Sequence, residues 1–172
     1  MRILMLLDTE FPPDIRVENE AQSLIDAGHE VHLLSYSFNT KPKYEVYRGI
    51  HIHRFNIARQ LAKKMLGLLN QVPVYKLIWS REVLKILDSQ KFDAVHIHDL
   101  PLCCLIKTIK RVYTIHVTAD MHENYPYLVA EQPYMNTMSG RIMLSKKVWF
   151  RKEKIWLEDS SATVSSSRSS RK

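Results

Sequence analysis

The sequence predicts an α/β fold with a doubly wound, mostly parallel sheet flanked by helices. Short apolar runs typical of buried strands alternate with amphipathic segments of helical period along the chain. The first such unit comprises a buried strand at 1–7, a helix at 15–27 and a second strand at 30–36. Gly28 lies between the helix and the second strand, where glycine commonly ends a helix.

The later elements continue this alternation. Apolar patterning predicts further strands at 49–55, 94–98, 112–117 and 162–165. Helical patterning predicts helices at 58–87 and 141–159. A short helix is also predicted after the turn at 99–101, ending at residue 110. Pro73 is expected to divide the first of these helices, because proline disrupts a helix interior. The segments 8–14, 37–44 and 118–140 are predicted to be loops.

Length and composition indicate one globular domain. The 172 residues are 45% hydrophobic and 25% charged, which suffices for a sizeable core. The formal net charge of +7 favours anionic partners. The chain lacks the interleaved aromatic and basic residues of stacking platforms, so we expect no nucleic-acid partner. The two cysteines, Cys103 and Cys104, are adjacent, which indicates that no disulfide framework is encoded.

The loop after the first strand is the first candidate site, because doubly wound folds bind ligands at the carboxyl ends of strands. It contains no glycine between Asp8 and Asp14, which argues against a dinucleotide pyrophosphate there. Arg16 opens the following helix and offers a planar fork to a phosphate or carboxylate. The alternative is structural: Asp14 caps the helix, and Arg16 pairs with Glu20 one turn later.

Histidines suggest a second candidate at the end of the strand predicted at 94–98. His98 and Asp99 lie at its carboxyl end, where a ligand would bind. His96 and His98 are two residues apart and share a face, which would suit a metal ion. The sheet is covered on both faces, so we expect these histidines, and the pair His51 and His53, to be hydrogen-bonded instead. No metal site is expected.

A third candidate follows the strand predicted at 112–117. His122 can donate a hydrogen bond or a proton, and Glu123 can accept one. The alternative is a structural turn that uses Asp120 and Asn124. The segment is not a zinc-protease motif, because the second helical histidine is absent.

The helix predicted from Arg141 to Asp159 combines tryptophans with many basic residues. A basic amphipathic helix of this kind suits a membrane surface. The alternative is a helix that packs on the core with its other face in solvent.

Five motifs, in order, resemble the N-terminal domain of GT-B glycosyltransferases, in particular the large family-four group of retaining enzymes. They are the opening at 1–4 with 11–21, the second-strand entry at 24–31, the strand at 92–99, the loop at 120–126 and the closing segment at 158–166.

The resemblance implies that residues 1–172 form one Rossmann-like domain, the acceptor-side half of a two-domain enzyme. The donor, a nucleotide sugar such as UDP- or GDP-hexose, would bind mainly to a C-terminal domain that is absent here or separate. Neither metal nor cofactor is implied. His122 matches a histidine that reaches the transferring sugar, and Arg16 with the loop from Asp8 to Asp14 matches the acceptor side of the cleft.

The expected function is therefore transfer of a hexose to a lipid-linked or polysaccharide acceptor, in the cytoplasm or peripherally at the inner membrane face. We expect little activity from the chain alone. Two alternatives remain open. In the first, the chain is a stand-alone subunit of a two-component glycosyltransferase. In the second, it is half of a GT-B sugar-nucleotide epimerase.

Overall fold

The computed structural model describes residues 1–60, 73–121, 127 and 146–165. Within these ranges seven strands form one sheet. The strands are β1 (Arg2–Glu10), β2 (Glu30–Ser37), β3 (Tyr44–Tyr47), β4 (Ile50–Asn56), β5 (Ala94–His98), β6 (His116–Met121) and β7 (Ala162–Ser165). The helices are α1 (Ile15–Asp26), α2 (Pro73–Ser89), a 3₁₀ helix (Leu100–Leu105), α3 (Ile106–Val112) and α4 (Lys146–Leu157).

The strand order confirms the predicted fold class. The sheet runs β3-β4-β2-β1-β5-β6-β7, and every neighbouring pair is parallel except β3 and β4. Without the antiparallel edge strand β3, the order is that of a Rossmann-like doubly wound sheet. The order reverses between β1 and β5, and ligands bind in such folds outside the carboxyl ends of the strands at this switch point.

Two apolar layers hold the sheet between its helices. One face packs against α1 through a cluster that includes Met5, Val17 and Leu33. The other face packs against α2, the 3₁₀ helix, α3 and α4 through a larger cluster that includes Trp79 and Trp149. Both tryptophans are fully buried. Alternate residues of the strands therefore face either α1 or the opposite helices, also at the switch point.

Three predictions of secondary structure were wrong. Strand β1 continues to Glu10, because the segment predicted as loop still pairs with β2, with an irregular register after Leu6. The edge strand β3 was not predicted, since its four residues are half exposed and give little apolar signal. The strand predicted at 112–117 begins instead at His116, because the chain first completes helix α3, which buries Ile106 and Ile109.

The helix predicted from Arg141 to Asp159 is described over Lys146–Leu157. It packs on the core through the buried Trp149, with Trp156 partly buried beside it. Phe150 and Ile155 remain exposed on the same helix. Among the residues described, no helix is both long enough and apolar enough to cross a bilayer.

Candidate functional site

The crevice at the switch point brings three strand ends together. Strands β1 and β5 pair as far as Leu6 and Ile97. Asp99 then follows β5, and its backbone N–H donates to the carbonyl of Asp120 on β6 at 3.0 Å. Asp8 lies on β1 just beyond the last residue that pairs with β5, and it is buried. The carboxyl ends of β1, β5 and β6 therefore each carry an acidic residue at this edge of the sheet.

Helix α1 begins at this crevice and directs Arg16 into it. Oδ1 of Asp14 accepts hydrogen bonds from the backbone N–H groups of Arg16 and Val17 at 3.1 and 3.2 Å, so Asp14 is the N-cap residue. Nη2 of Arg16 lies 3.5 Å from Oδ2 of Asp99 and 3.7 Å from Oδ2 of Asp14. One third of the Arg16 side chain is exposed, which leaves the guanidinium accessible from the crevice.

Arg54 anchors the loop that leads into α1. Its Nε and Nη2 donate to the carbonyl of Phe11 at 3.0 and 2.8 Å, and its Nη1 donates to the carbonyl of Pro42 at 2.9 Å. Its guanidinium also pairs with Glu45. The Arg54 side chain is completely buried, so these bonds fix where the loop and α1 begin.

Asp99 has a backbone conformation that favours glycine. Its φ is 68° and its ψ is 148°, outside the regions of backbone conformation that non-glycine residues usually adopt. Such residues cost on the order of 1–3 kcal/mol and cluster at functional sites. The strain allows Asp99 to face Arg16 at the point where β5 turns into the 3₁₀ helix.

A cluster of two histidines and two carboxylates lies beneath Arg16 on the α1 face of the sheet. The imidazoles of His96 and His98 are stacked 4.7 Å apart, as expected for residues two apart on a strand. Glu20 of α1 lies 3.2 Å from His96 Nε2 and 3.8 Å from His98 Nδ1. Oδ2 of Asp120 lies 3.9 Å from the same two nitrogens. Burial, with the nearby charge of Asp120, raises the pKa of Glu20 to about 7.

The other face of the crevice carries a buried acid. Tyr75 of α2 donates its O–H to Oδ2 of Asp8 at 2.6 Å. Burial raises the pKa of Asp8 to about 7, although the hydrogen bond from Tyr75 opposes the shift. The crevice thus combines one accessible guanidinium with two carboxyl groups that titrate near neutral pH, a combination suited to binding an anion and exchanging a proton.

Replacing Asp8 with asparagine should flatten the pH dependence of stability. The pKa of Asp8 rises from 3.8 in the unfolded chain to about 7, so the folded state holds more protons in this range and stability falls as the pH rises through it. Between pH 5 and pH 8, titration of Asp8 should lower the free energy of unfolding by about 3 kcal/mol. Urea denaturation at pH 5 and pH 8 measures it.

Asparagine keeps an acceptor for the Tyr75 hydroxyl, so the variant should fold. Replacing the exposed Asp26 by asparagine is the matched control for the loss of one carboxylate. A slope that is identical in the wild type and in Asp8→Asn would show that Asp8 is ionised throughout. Glu20 titrates in the same direction and leaves a residual slope in both proteins.

Five of the predicted site residues lie at this crevice: Asp8, Asp14, Arg16, His98 and Asp99. The other two, His122 and Glu123, lie outside the described residues. Prediction from sequence missed three contributors. Glu20 was considered only as a partner of Arg16, although it lies one turn after Arg16 on the same face of α1. Asp120 was considered only as part of a structural turn. Tyr75 gave no signal in the sequence, because its position depends on how α2 packs.

The sequence model of the protein family Glycosyltransferase Family 4 matches residues 15–172 of the chain. The chain belongs to glycosyltransferase family 4. The match includes Arg16, Glu20, His98, Asp99 and Asp120 of the crevice, whereas Asp8 and Asp14 precede the matched residues.

Two solved structures share the fold of this family-4 domain. Sucrose-phosphate synthase from Thermosynechococcus elongatus superposes with a TM-score of 0.63 at 12% identity, over 94% of this chain and 41% of that chain. A second structure of sucrose-phosphate synthase from the same organism gives a TM-score of 0.64 at 11% identity, over 98% of this chain and 77% of that chain. The chain thus spans about two fifths of the first synthase. A search of curated proteins found no match.

Proposed function

We propose that this family-4 domain is the acceptor-side half of a nucleotide-sugar-dependent glycosyltransferase that transfers a hexose to a lipid-linked or polysaccharide acceptor. The proposal rests on the position of Arg16. This residue lies at the capped N-terminus of α1, and its Nη2 is 3.5 Å from Oδ2 of Asp99 at the switch point. A helix N-terminus and an accessible guanidinium together favour an anionic group such as an acceptor phosphate.

The chemistry divides between two domains. The donor, a UDP- or GDP-hexose, binds mainly to a separate domain, and the transfer joins an acceptor oxygen to the anomeric carbon as the nucleoside diphosphate leaves. Positioned hydrogen-bond donors stabilise the charge that develops on that leaving group. In this proposal His122 and Glu123 contribute from this half, directly after β6, and neither a metal nor a cofactor takes part.

A membrane surface is proposed as a partner of α4. The exposed Phe150 and Ile155 share this helix with the exposed basic residues Lys147, Arg151 and Lys154. Apolar and cationic side chains together suit the interface of an anionic bilayer. This location would place a lipid-linked acceptor near the crevice at the cytoplasmic face.

A transfer assay tests the proposal. The chain alone, given UDP- or GDP-hexoses and a short-chain prenyl-diphosphate acceptor, should show little turnover. Joined to the donor domain of a family-4 enzyme, in one polypeptide or as a mixture, it should transfer hexose to the acceptor. Vesicles containing anionic lipid should raise the rate with a lipid-linked acceptor and leave it unchanged with a soluble one.

Two results would contradict the proposal. Robust turnover by the 172 residues alone would mean that the donor site does not need a second domain. Epimerisation of the nucleotide sugar without any transfer would favour the epimerase alternative. Tight association with a separately encoded donor domain would identify the two-component form of the same function.

A further inference from the structure

A second cluster of titratable side chains lies at the amino ends of β2 and β4, away from the crevice. Glu30 and His32 are on β2, and His51 and His53 are on β4. His32 pairs in register with His51 across the two parallel strands. Their imidazoles are stacked with ring centroids 4.7 Å apart and an interplanar angle of 15°. Adjacent strands thus hold two imidazoles and a carboxylate in one place.

The ligand atoms of three of these residues converge. One oxygen of Glu30 and one ring nitrogen each of His32 and His51 lie within 4.8 Å of one another. A zinc ion bound to nitrogen at about 2.0–2.1 Å and to oxygen at about 2.0–2.2 Å needs its ligands somewhat closer than this. Rotation of the Glu30 side chain, which is 41% exposed, can close part of the gap.

Neighbouring side chains orient the two imidazoles for coordination. The Tyr44 hydroxyl lies 2.8 Å from Nδ1 of His51, which leaves Nε2 for an ion. His53 Nε2 lies 2.9 Å from Nδ1 of His32 and can accept its hydrogen, which leaves Nε2 of His32, 2.9 Å from Oε1 of Glu30, for the ion. Metal-binding histidines characteristically carry such a partner on the other ring nitrogen.

We propose that Glu30, His32 and His51 bind a divalent transition-metal ion of the zinc class at the amino end of the sheet. Two imidazoles and a carboxylate suit zinc, cobalt or nickel rather than calcium or magnesium. Arg2 pairs with Oε2 of Glu30 at 2.9 Å, so Oε1 is the oxygen for the ion. Water fills the fourth position.

The site ties the first residues of β2 to β4 and takes no part in transfer, which remains metal-independent.

Cobalt titration tests the proposal. The chain, purified without a histidine tag and stripped with chelator, should bind one equivalent of Co²⁺ with visible absorption, and Zn²⁺ should displace it and raise the unfolding temperature. His51→Gln should abolish the absorption and the temperature rise. Tyr44→Phe should weaken binding about tenfold, as loss of a partner to a metal-binding histidine does. His29→Gln, outside the cluster, should change neither.

Three outcomes would overturn the proposal. They are no Co²⁺ absorption at excess metal, unchanged binding in a folded His51→Gln variant, or loss of binding in His96→Gln with His98→Gln while His51→Gln retains it. The last would place the ion in the cluster beneath Arg16. Circular dichroism of each variant confirms that it is folded.

Discussion

Replacing Arg54 with methionine should lower the free energy of unfolding by about 3–5 kcal/mol. The Arg54 side chain is completely buried and donates to the carbonyls of Phe11 and Pro42 while it pairs with Glu45. Methionine fills a similar volume but leaves these acceptors without a donor, and unsatisfied buried groups are expensive. Urea denaturation with linear extrapolation measures the change.

Arg48→Met is the matched control. The Arg48 side chain is 66% exposed, and its Nη1 lies 3.4 Å from Oε2 of Glu18. An exposed pair of this kind contributes about 0–1 kcal/mol, so the control should stay near the wild type. Equal stabilities for Arg54→Met and Arg48→Met would contradict the anchoring role of Arg54 and leave the loop before α1 without an explanation for its position.

Replacing Arg16 with alanine should weaken acceptor binding by about 10- to 100-fold, because hydrogen bonds to charged groups contribute about 1.5–3 kcal/mol. The guanidinium is the accessible cation of the described crevice, and it faces Asp99 and Asp14. Titration of the chain with a short-chain prenyl-diphosphate sugar measures the affinity. Without Arg16 the diphosphate would face the carboxylates of Asp14 and Asp99 at the N-terminus of α1.

Two variants calibrate this result. Arg16→Lys should recover part of the affinity, because an ammonium keeps the charge but lacks the planar fork. Arg81→Ala should bind like the wild type, since Arg81 lies on α2 and its side chain is 85% exposed. Equal affinity in Arg16→Ala and Arg81→Ala would mean that the acceptor does not use the crevice.

The fold was predictable because its signals are local. Apolar runs identified β1, β2 and β5, and Asp14 with the following residues identified the start of α1. The errors fell where competing patterns overlap. Residues 112–117 are as apolar as a strand, yet the chain there first completes α3 and enters β6 only at His116. The edge strand β3 is only four residues long, and its apolar residues Tyr44 and Val46 are exposed, so it gives too short a pattern to predict.

The site was predictable only in part, because strand ends can be located in the sequence but contacts between elements cannot. Arg16, His98 and Asp99 could be placed at strand or helix ends from the sequence. The proximity of Arg16 to Asp99 depends on the order of β1 and β5, which the sequence does not state. The glycine-like backbone of Asp99 could not be read from an aspartate.

We propose that the acceptor binds at the switch point between β1 and β5. Nuclear magnetic resonance of the isotope-labelled chain during the prenyl-diphosphate sugar titration tests this location. We expect the largest shifts at the Arg16 guanidinium and at the backbone amides of Val17 and Asp99, saturating together. Saturable shifts elsewhere, such as the amino ends of β2 and β4, with Arg16 unchanged would contradict it.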